Sequence, residues 1–191
     1  IETFSAGFET TNELPYAAKV ARHFGSEHHE VRIGDEALDL LDDMVYHMNC
    51  VHRGNRGALI MADLPFMSYA SERQSLKSAA TLMRAGAHIV KLEGGAWLAE
   101  SSRLLTERGI PVCAHMGLTP QSINVLGGFR TQGRSRDQWA EIEEDARIVS
   151  EAGAFSVVIE AITEPLAARI TRAIPIPTIG IGASAQCDGQ I

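Results

Sequence analysis

The chain lacks the long hydrophobic runs and the positive charge that mark several classes of protein. In 191 residues there is no apolar run near the roughly 18 residues that a membrane helix needs, and residues 1–7 do not have the build of a secretory signal. Seventeen Lys and Arg residues stand against 24 Asp and Glu residues, and the formal charge of −7 disfavours binding to a nucleic-acid backbone. We therefore expect a soluble protein that binds neither membrane nor nucleic acid.

Cysteine is also scarce. The three cysteines, Cys50, Cys113 and Cys187, lie far apart and form no C-x-x-C pair, so they predict neither a zinc site nor a disulfide framework. This pattern favours a reducing compartment, and we expect the protein in the cytoplasm. Hydrophobic residues at 45% and charged residues at 21% are ordinary values for a globular chain and disfavour disorder.

From residue 58 onward one pattern recurs, in which a short apolar run and a turn are followed by an amphipathic helix that ends at glycine. The helix predicted at Ser71–Ala85 is typical, because it starts at a capping serine, stops before Gly86 and repeats its apolar residues at helical spacing. The apolar runs have the length of buried parallel strands. They are Ala58–Ala62, His88–Leu92, Pro111–Ala114, Ser156–Ile159 and Thr178–Ile181.

The same pattern is present upstream. Thr3–Phe8 and His28–Ile33 are predicted strands around a helix at about 13–24, and a further helix is predicted at about 36–51. Seven strands and six helices in alternation predict an α/β fold with a mainly parallel sheet. A closed (βα)₈ barrel needs eight strands. With about seven, the prediction is an incomplete barrel of this kind, and an open doubly wound parallel sheet is the alternative.

One long irregular stretch, Gly127–Arg136, follows the fifth predicted strand. It is rich in glycine and in basic residues. A segment in this position is either a functional loop or a flexible connection, and its composition does not separate the two.

Ionisable residues stand at the carboxyl ends of four successive predicted strands. Catalytic groups of βα barrels lie at this end, so the pattern favours the barrel over the open sheet. Singly, each residue has a structural explanation, such as a turn cap or an ion pair. Burying all of them without a function would cost on the order of several kcal/mol. The residues are Asp63, Lys91, Glu93, His115 and Glu160.

Carboxylates without cysteine ligands favour Mg²⁺ and disfavour zinc. With a substrate carbonyl polarised by the metal, Glu160 could remove the neighbouring proton and give a metal-bound enolate. Lys91 could offset the charge that develops on the oxygen. The residues alone thus predict enolate chemistry on an α-keto acid.

Residues 42–191 closely resemble the ketopantoate hydroxymethyltransferase (3-methyl-2-oxobutanoate hydroxymethyltransferase) family. Six blocks carry the resemblance and occur in the order that the family has them, whereas any single block would be a weak signal. The blocks are Asp42–His47, Ala62–Tyr69, Val90–Gly95, His115–Ser122, Gly127–Arg134 and Ile179–Ala183.

The resemblance implies a (βα)₈ barrel of the phosphoenolpyruvate mutase and isocitrate lyase type that assembles as a homo-oligomer. It also implies Mg²⁺ as cofactor and 5,10-methylenetetrahydrofolate as cosubstrate. The implied reaction transfers a hydroxymethyl group to 3-methyl-2-oxobutanoate and gives 2-dehydropantoate, a precursor of pantothenate and coenzyme A.

The resemblance also implies roles for individual residues. Asp63 matches a metal ligand that also lies near the substrate, and Glu93 matches a residue beside the metal. Lys91 and His115 match substrate-binding residues, and Glu160 matches the general base.

The amino-terminal part departs from the family. Asp35 matches a further metal ligand, but Glu36 follows it where the family has Ser. Four stretches upstream are Thr3–Phe8, Glu13–Ala17, His23–Gly25 and Glu27–Glu30. On these, residues 1–41 instead resemble part of the synthetase domain of asparagine synthetase, without its phosphate-binding turn. We therefore expect a βαβ segment of different ancestry at 1–41 and an incomplete barrel at 42–191, together in one structural domain.

Three functions remain open from the sequence. The first is the hydroxymethyltransferase, with activity impaired by the altered amino-terminal segment and by a missing carboxy-terminal strand. The second is a non-catalytic fragment or assembly module that keeps the fold. The third is a related lyase that acts on a 2-oxo acid.

Overall fold

The computed structural model describes residues 2–8, 14–23, 25–33 and 40–191. The chain divides into two compact units, residues 1–40 and residues 41–191. Among the described residues, no helix combines the length and the apolar character that crossing a membrane requires.

The first unit is a strand-helix-strand arrangement. Strand β1 (Glu2–Phe8) is followed by helix α1 (Leu14–His23) and by strand β2 (Glu27–Ile33). The two strands pair in parallel over their whole length, with Glu2 opposite Glu27. The βαβ arrangement predicted for this part of the chain is confirmed.

The second unit alternates helices and short strands. The helices are α2 (Leu40–Gly54), α3 (Glu72–Arg84), α4 (Ala99–Thr106), α5 (Ile123–Leu126), α6 (Trp139–Glu151) and α7 (Glu164–Ala173). The strands are β3 (Met61–Asp63), β4 (Ile89–Glu93), β5 (Val112–Gly117), β6 (Ser156–Glu160), β7 (Thr178–Ile181) and β8 (Gly189–Gln190). All five strands predicted in this part are present, with ends shifted by up to three residues.

The six strands of this unit form one parallel sheet in the order β3-β4-β5-β6-β7-β8. A doubly wound sheet reverses direction at a switch point, whereas this order runs in one direction throughout. The doubly wound alternative is therefore wrong, because every crossover moves one strand further along the sheet. Sequential parallel order is the arrangement of a βα barrel.

Strand β8 was not expected from the sequence, so the described residues contain eight strands instead of about seven. Two residues are too short to show an alternating pattern. The strand is held by Asp188, whose Oδ2 accepts hydrogen bonds from the Thr178 backbone N at 2.9 Å and from Thr178 Oγ1 at 3.0 Å. These bonds lower the pKa of Asp188.

The helices cover one face of the six-stranded sheet. Val90 and Leu92 of β4 pack in a cluster with Leu82 of α3 and Leu105 of α4. On the adjoining strands, side chains of β5 and β6 form a second cluster with α6 and α7. Burial of one such leucine is worth roughly 1.5–3 kcal/mol. This face therefore supplies most of the apolar contacts of the unit.

The opposite face carries the residues that alternate with these. Its lower part is a small apolar layer built on Ile89, Cys113 and Val158. Since successive side chains of a strand point to opposite faces, the ionisable residues two positions further along β4 and β5 stand above this layer. The apolar layer therefore lies directly beneath the ionisable residues.

Helix α3 buries more polar residues than its sequence predicts. Its cap is as expected, because the Ser71 side chain accepts a hydrogen bond from Gln74 N. The buried face, however, includes Ser75 and Ser78. Ser78 Oγ donates to Ser68 O at 2.7 Å, and Ser75 Oγ donates to Ser71 O at 3.0 Å. The serines thus fasten the β3–α3 connection to the helix.

Gly117 sets the spacing between β5 and β6. It has φ of +88°, and a side-chain carbon there would overlap the Glu160 carbonyl oxygen. We expect Gly117→Ala to lower the free energy of unfolding by about 3 kcal/mol or more, because strain and overlap add. Gly109→Ala is the control, since φ is +80° there but no atom lies within 4 Å. It should cost only about 1–2 kcal/mol.

Denaturant unfolding of both variants measures the difference. Equal destabilisation of the two variants would show that the contact with Glu160 is unimportant for the fold.

Candidate active site

The structure brings the ionisable residues predicted from β3 to β6 together at one edge of the sheet. The pairing register explains why: Asp63 lies opposite Lys91, Glu93 opposite His115, and Glu160 opposite Gly117. All stand at the carboxyl ends of parallel strands, on the face that the helices do not cover. The predicted convergence of these five side chains is therefore confirmed as geometry.

Lys91 lies at the centre of the group. Its Nζ is 3.1 Å from Asp63 Oδ1 and 3.0 Å from His115 Nδ1. A lysine ammonium can only donate hydrogen bonds, so Nδ1 of His115 accepts and the ring proton resides on Nε2. The Lys91 side chain is only 14% exposed, whereas Asp63 is about half exposed. The Lys91 ammonium is thus largely buried at this edge of the sheet, whereas the Asp63 carboxylate that it contacts is open to solvent.

His115 links Lys91 to Glu160. Its Nε2 lies 3.1 Å from Glu160 Oε2, although the two groups do not have the alignment of a hydrogen bond. Burial and the neighbouring Lys91 lower the pKa of His115 to about 4, so the imidazole is neutral near pH 7. Burial raises the pKa of Glu160, partly offset by Lys91. A carboxylate with a raised pKa in such a place is suited to accept a proton.

Glu93 is buried and has two different environments. Its Oε2 accepts a hydrogen bond from Gln121 N at 2.8 Å, while Oε1 lies 3.7 Å from His115 Nδ1. Burial raises the pKa of Glu93 most strongly, and the hydrogen bond from Gln121 and the charge of Lys91 oppose this. One oxygen is therefore fixed by backbone and the other faces the charged group.

Tyr69 and Gln121 belong to the site but were not identified from the sequence. Tyr69 OH donates to Gln121 Oε1 at 2.6 Å, and Gln121 Nε2 donates to Leu64 O at 2.9 Å. Burial raises the pKa of Tyr69 to about 12, so it remains a hydrogen-bond donor. Gln121 thereby ties the β3 and β5 connections to Glu93. Both residues lie in the blocks that carry the family resemblance, which was the available signal.

The irregular stretch Gly127–Arg136 returns to the end of β6. Gln132 pairs with Ile162 in a parallel bridge, and Gln132 N donates to Ala161 O at 2.8 Å. Ala161, which follows Glu160, has φ of +45°, a left-handed conformation that is strained for a residue with a side chain. The stretch is therefore fastened beside Glu160 at this point.

Asp63 and Glu93 fit a magnesium ion as ligands. Both offer hard oxygen atoms from neighbouring strands, and the negative charges of Asp63 and Glu160 add to the burial that raises the pKa of Glu93. Within the described residues, no group of three or more His, Cys, Asp or Glu could hold a metal ion. Mg²⁺ commonly binds through one or two carboxylates and completes its shell with water and substrate oxygens. Asp35, the further predicted ligand, lies outside the described residues.

The structure resembles barrels of known type. Oxaloacetate acetylhydrolase matches with a TM-score of 0.56 at 16% identity, over 93% of this chain and 57% of that chain. A 2,3-dimethylmalate lyase of the PEP mutase/isocitrate lyase superfamily matches with a TM-score of 0.53 at 15% identity, over 94% of this chain and 66% of that chain. At such identities the likeness shows the fold alone, and it confirms the predicted incomplete barrel.

Curated relatives carry one name. The 3-methyl-2-oxobutanoate hydroxymethyltransferase of Stutzerimonas stutzeri (strain A1501) is 58% identical over 149 residues, which are 78% of this chain and 56% of the relative. That of Shewanella piezotolerans (strain WP3) is 48% identical over 204 aligned positions, covering 100% of this chain and 77% of the relative. The chain thus spans between about half and three quarters of these relatives.

The resemblance of residues 1–41 to asparagine synthetase finds no support in these comparisons. The family model described as ketopantoate hydroxymethyltransferase matches residues 35–191, which include every described residue of the candidate site. On the model match and on the identity to the curated relatives, this chain belongs to the ketopantoate hydroxymethyltransferase family.

Proposed function

We propose that the chain transfers a hydroxymethyl group from 5,10-methylenetetrahydrofolate to 3-methyl-2-oxobutanoate, giving 2-dehydropantoate for pantothenate and coenzyme A biosynthesis. The observation that carries the proposal is the row Lys91, His115 and Glu160 at the edge of the sheet. It places a fixed cation and a carboxylate of raised pKa on either side of a neutral imidazole. These are the groups that forming and stabilising an enolate requires.

Glu160 acts as the base in this proposal. It takes the proton from C3 of the keto acid, and the electron pair of the C–H bond moves into the C2–C3 bond while the carbonyl oxygen becomes an enolate oxygen. C3 then forms a bond to the methylene carbon of the donor. Both carbon–nitrogen bonds of that methylene break. Water supplies the hydroxyl group and the proton for one donor nitrogen, and the proton that Glu160 removed from C3 passes to the other donor nitrogen.

Lys91 and His115 bind the keto acid and stabilise its developing charge. The Lys91 ammonium is held by Asp63 and by His115 Nδ1, so it is positioned before the charge develops. The proton on His115 Nε2 lies on the side of Glu160, and the contact of Nδ1 with Lys91 orients the ring. Preorganised donors of this kind typically supply a factor of about 10²–10³ in rate.

A magnesium ion is the proposed cofactor, and Asp63 and Glu93 would hold it together with Asp35. When bound, it supplies a Lewis acid that polarises the keto acid. Glu93 is oriented for this role by Gln121 N, and Asp63 by Lys91.

We further propose a cytoplasmic homo-oligomer, as the family resemblance implies. The three cysteines, all free, agree with a reducing compartment.

Glu160→Gln should abolish proton removal. We expect the rate of deuterium incorporation at C3 of 3-methyl-2-oxobutanoate, in D₂O with Mg²⁺ and without donor, to fall about 10²–10⁴-fold, because glutamine cannot accept the proton. Proton NMR of the keto acid measures the rate. Glu141→Gln, an exposed change on α6, is the matched control and should exchange like the wild type.

The same measurement separates the alternatives. Absence of exchange in folded wild-type protein would favour the non-catalytic module, and cleavage of a longer 2-oxo acid would favour the lyase.

Lys91→Met should impair the use of the keto acid. The change removes the only ammonium that contacts Asp63 and His115 among the described residues, so kcat/KM for the keto acid should fall by about 10²-fold or more. Steady-state kinetics measure the loss, and Lys77→Met on the exposed side of α3 is the control. A Lys91→Met protein with wild-type kcat/KM would exclude Lys91 from the reaction.

A further inference from the structure

A pocket of about 250 Å³ adjoins the charged group. It lies between the connections that follow β3, β4 and β5, and aromatic and apolar side chains form most of its walls. Phe66, Met67, Tyr69 and Trp97 line it, and Glu93 and Gln121 reach it from the side of the charged group. Glu93 is therefore shared by the pocket and the candidate active site.

Trp97 is exposed and yet held in a fixed place. Its side chain is 64% exposed, but its ring stacks on Tyr69 with centroids 6.0 Å apart and planes inclined by 14°. The ring lies so close to Gly94 that a side-chain carbon there would overlap it. The preceding residue, Ala96, donates its backbone N–H to Asp145 Oδ1 of α6 at 2.8 Å. Two strand connections and a helix therefore position one large ring whose outer face contacts solvent.

Phe66 and Met67, also in the pocket wall, are 60% and 58% exposed. Met67 has φ of +62°, which is strained for a residue with a side chain. The segment is held nonetheless, because Ser68 N donates to Pro65 O at 3.0 Å and Ser78 of α3 holds Ser68 O. Hydrogen bonds within the chain thus hold the pocket wall in place.

The chemistry of the walls selects the occupant. Aromatic faces with exposed apolar neighbours favour a flat ring, since stacking on an indole is stabilising and covers the exposed surface. Glu93 and Gln121 at the inner end offer polar contacts to a ring edge that carries hydrogen-bond donors and acceptors. The keto acid is small and anionic and suits Lys91 instead. The pocket therefore fits a second substrate of different character, next to the first.

We propose that this pocket binds the flat heterocyclic ring of the one-carbon donor, stacked on Trp97, so that its reactive carbon faces the keto acid across Glu93. The assignment rests on the proposed function, which supplies a donor with a fused heterocycle. It adds the residues that hold this donor, with Trp97 as a binding residue and Asp145 as a residue that positions Trp97.

The test is donor binding to the full chain, with 5-formyltetrahydrofolate as the unreactive probe. In titration calorimetry, Trp97→Leu should weaken probe binding roughly ten- to a hundred-fold, because it removes the stacking surface. Trp97→Phe keeps an aromatic face and should remain within a few-fold of the wild type. Phe155→Leu, at an exposed aromatic residue before β6 that does not line the pocket, should bind the probe like the wild type.

Fluorescence supplies a second measurement. Trp97 is exposed and Trp139 is buried, so probe binding should quench the emission of the wild type and not that of Trp97→Phe. Circular dichroism establishes that each variant is folded.

The outcomes separate the two proposals. Deuterium exchange at C3 by wild-type protein tests the proposed function without any donor. Where that exchange occurs, a wild-type protein that fails to bind the probe, or a Trp97→Leu protein that binds it as tightly as the wild type, overturns the assignment of the pocket alone. Where exchange is absent, the proposed function itself fails.

Discussion

The ammonium of Lys91 is the interaction on which the candidate site depends. It contacts Asp63 and His115 directly, and its charge opposes the rise in the pKa of Glu93 and of Glu160 that burial causes. Without a cation in this position, three carboxylates would crowd one edge of the sheet with repulsion added to desolvation. Burial, together with the same charge, keeps His115 neutral. Burial and this one cation therefore act together on the pKa values of Glu93, His115 and Glu160.

The sheet keeps this group and the hydrophobic core apart. Alternate residues of β4 face the helices or the charged edge, so the apolar packing that stabilises the unit does not compete for space with the polar residues. Beneath the charges lies the thin layer of Ile89, Cys113 and Val158. Burial raises the pKa of the Cys113 thiol, which remains protonated and acts as a small apolar group below Lys91.

Much of this arrangement could be predicted from the sequence, for a physical reason. The apolar runs of buried parallel strands are easily seen, and each ionisable residue of the site stands at the end of such a run. Position along a strand is enough to place Lys91, His115 and Glu160 at one edge. Residues in the connections between strands and helices are harder to place. Tyr69 and Gln121 contact Glu93 because their loops fold back over the sheet, and no periodic pattern in the sequence predicts that folding. The burial of Ser75 and Ser78 in α3 could not be predicted for the same reason, since the hydrogen-bond acceptors of both serines include carbonyl groups in the preceding loop.

Other features lie beyond sequence reasoning because they are short or involve single backbone angles. Strand β8 has only two residues, and the hydrogen bonds between Asp188 and Thr178 that fix its position leave no recognisable sequence pattern. The backbone angles at Met67 and Ala161 belong to the same class, as both are residues that seldom adopt a positive φ.

Ala161 holds a strained backbone angle directly after the proposed base, Glu160. Its N–H donates to Ile181 O and its carbonyl accepts from Gln132, so the peptide groups on both sides of the residue are clamped directly after Glu160. Glycine would adopt this angle without strain, but it would give this peptide more conformations to lose on folding. Alanine carries the strain instead, and the two backbone hydrogen bonds hold the strained peptide directly after the proposed base.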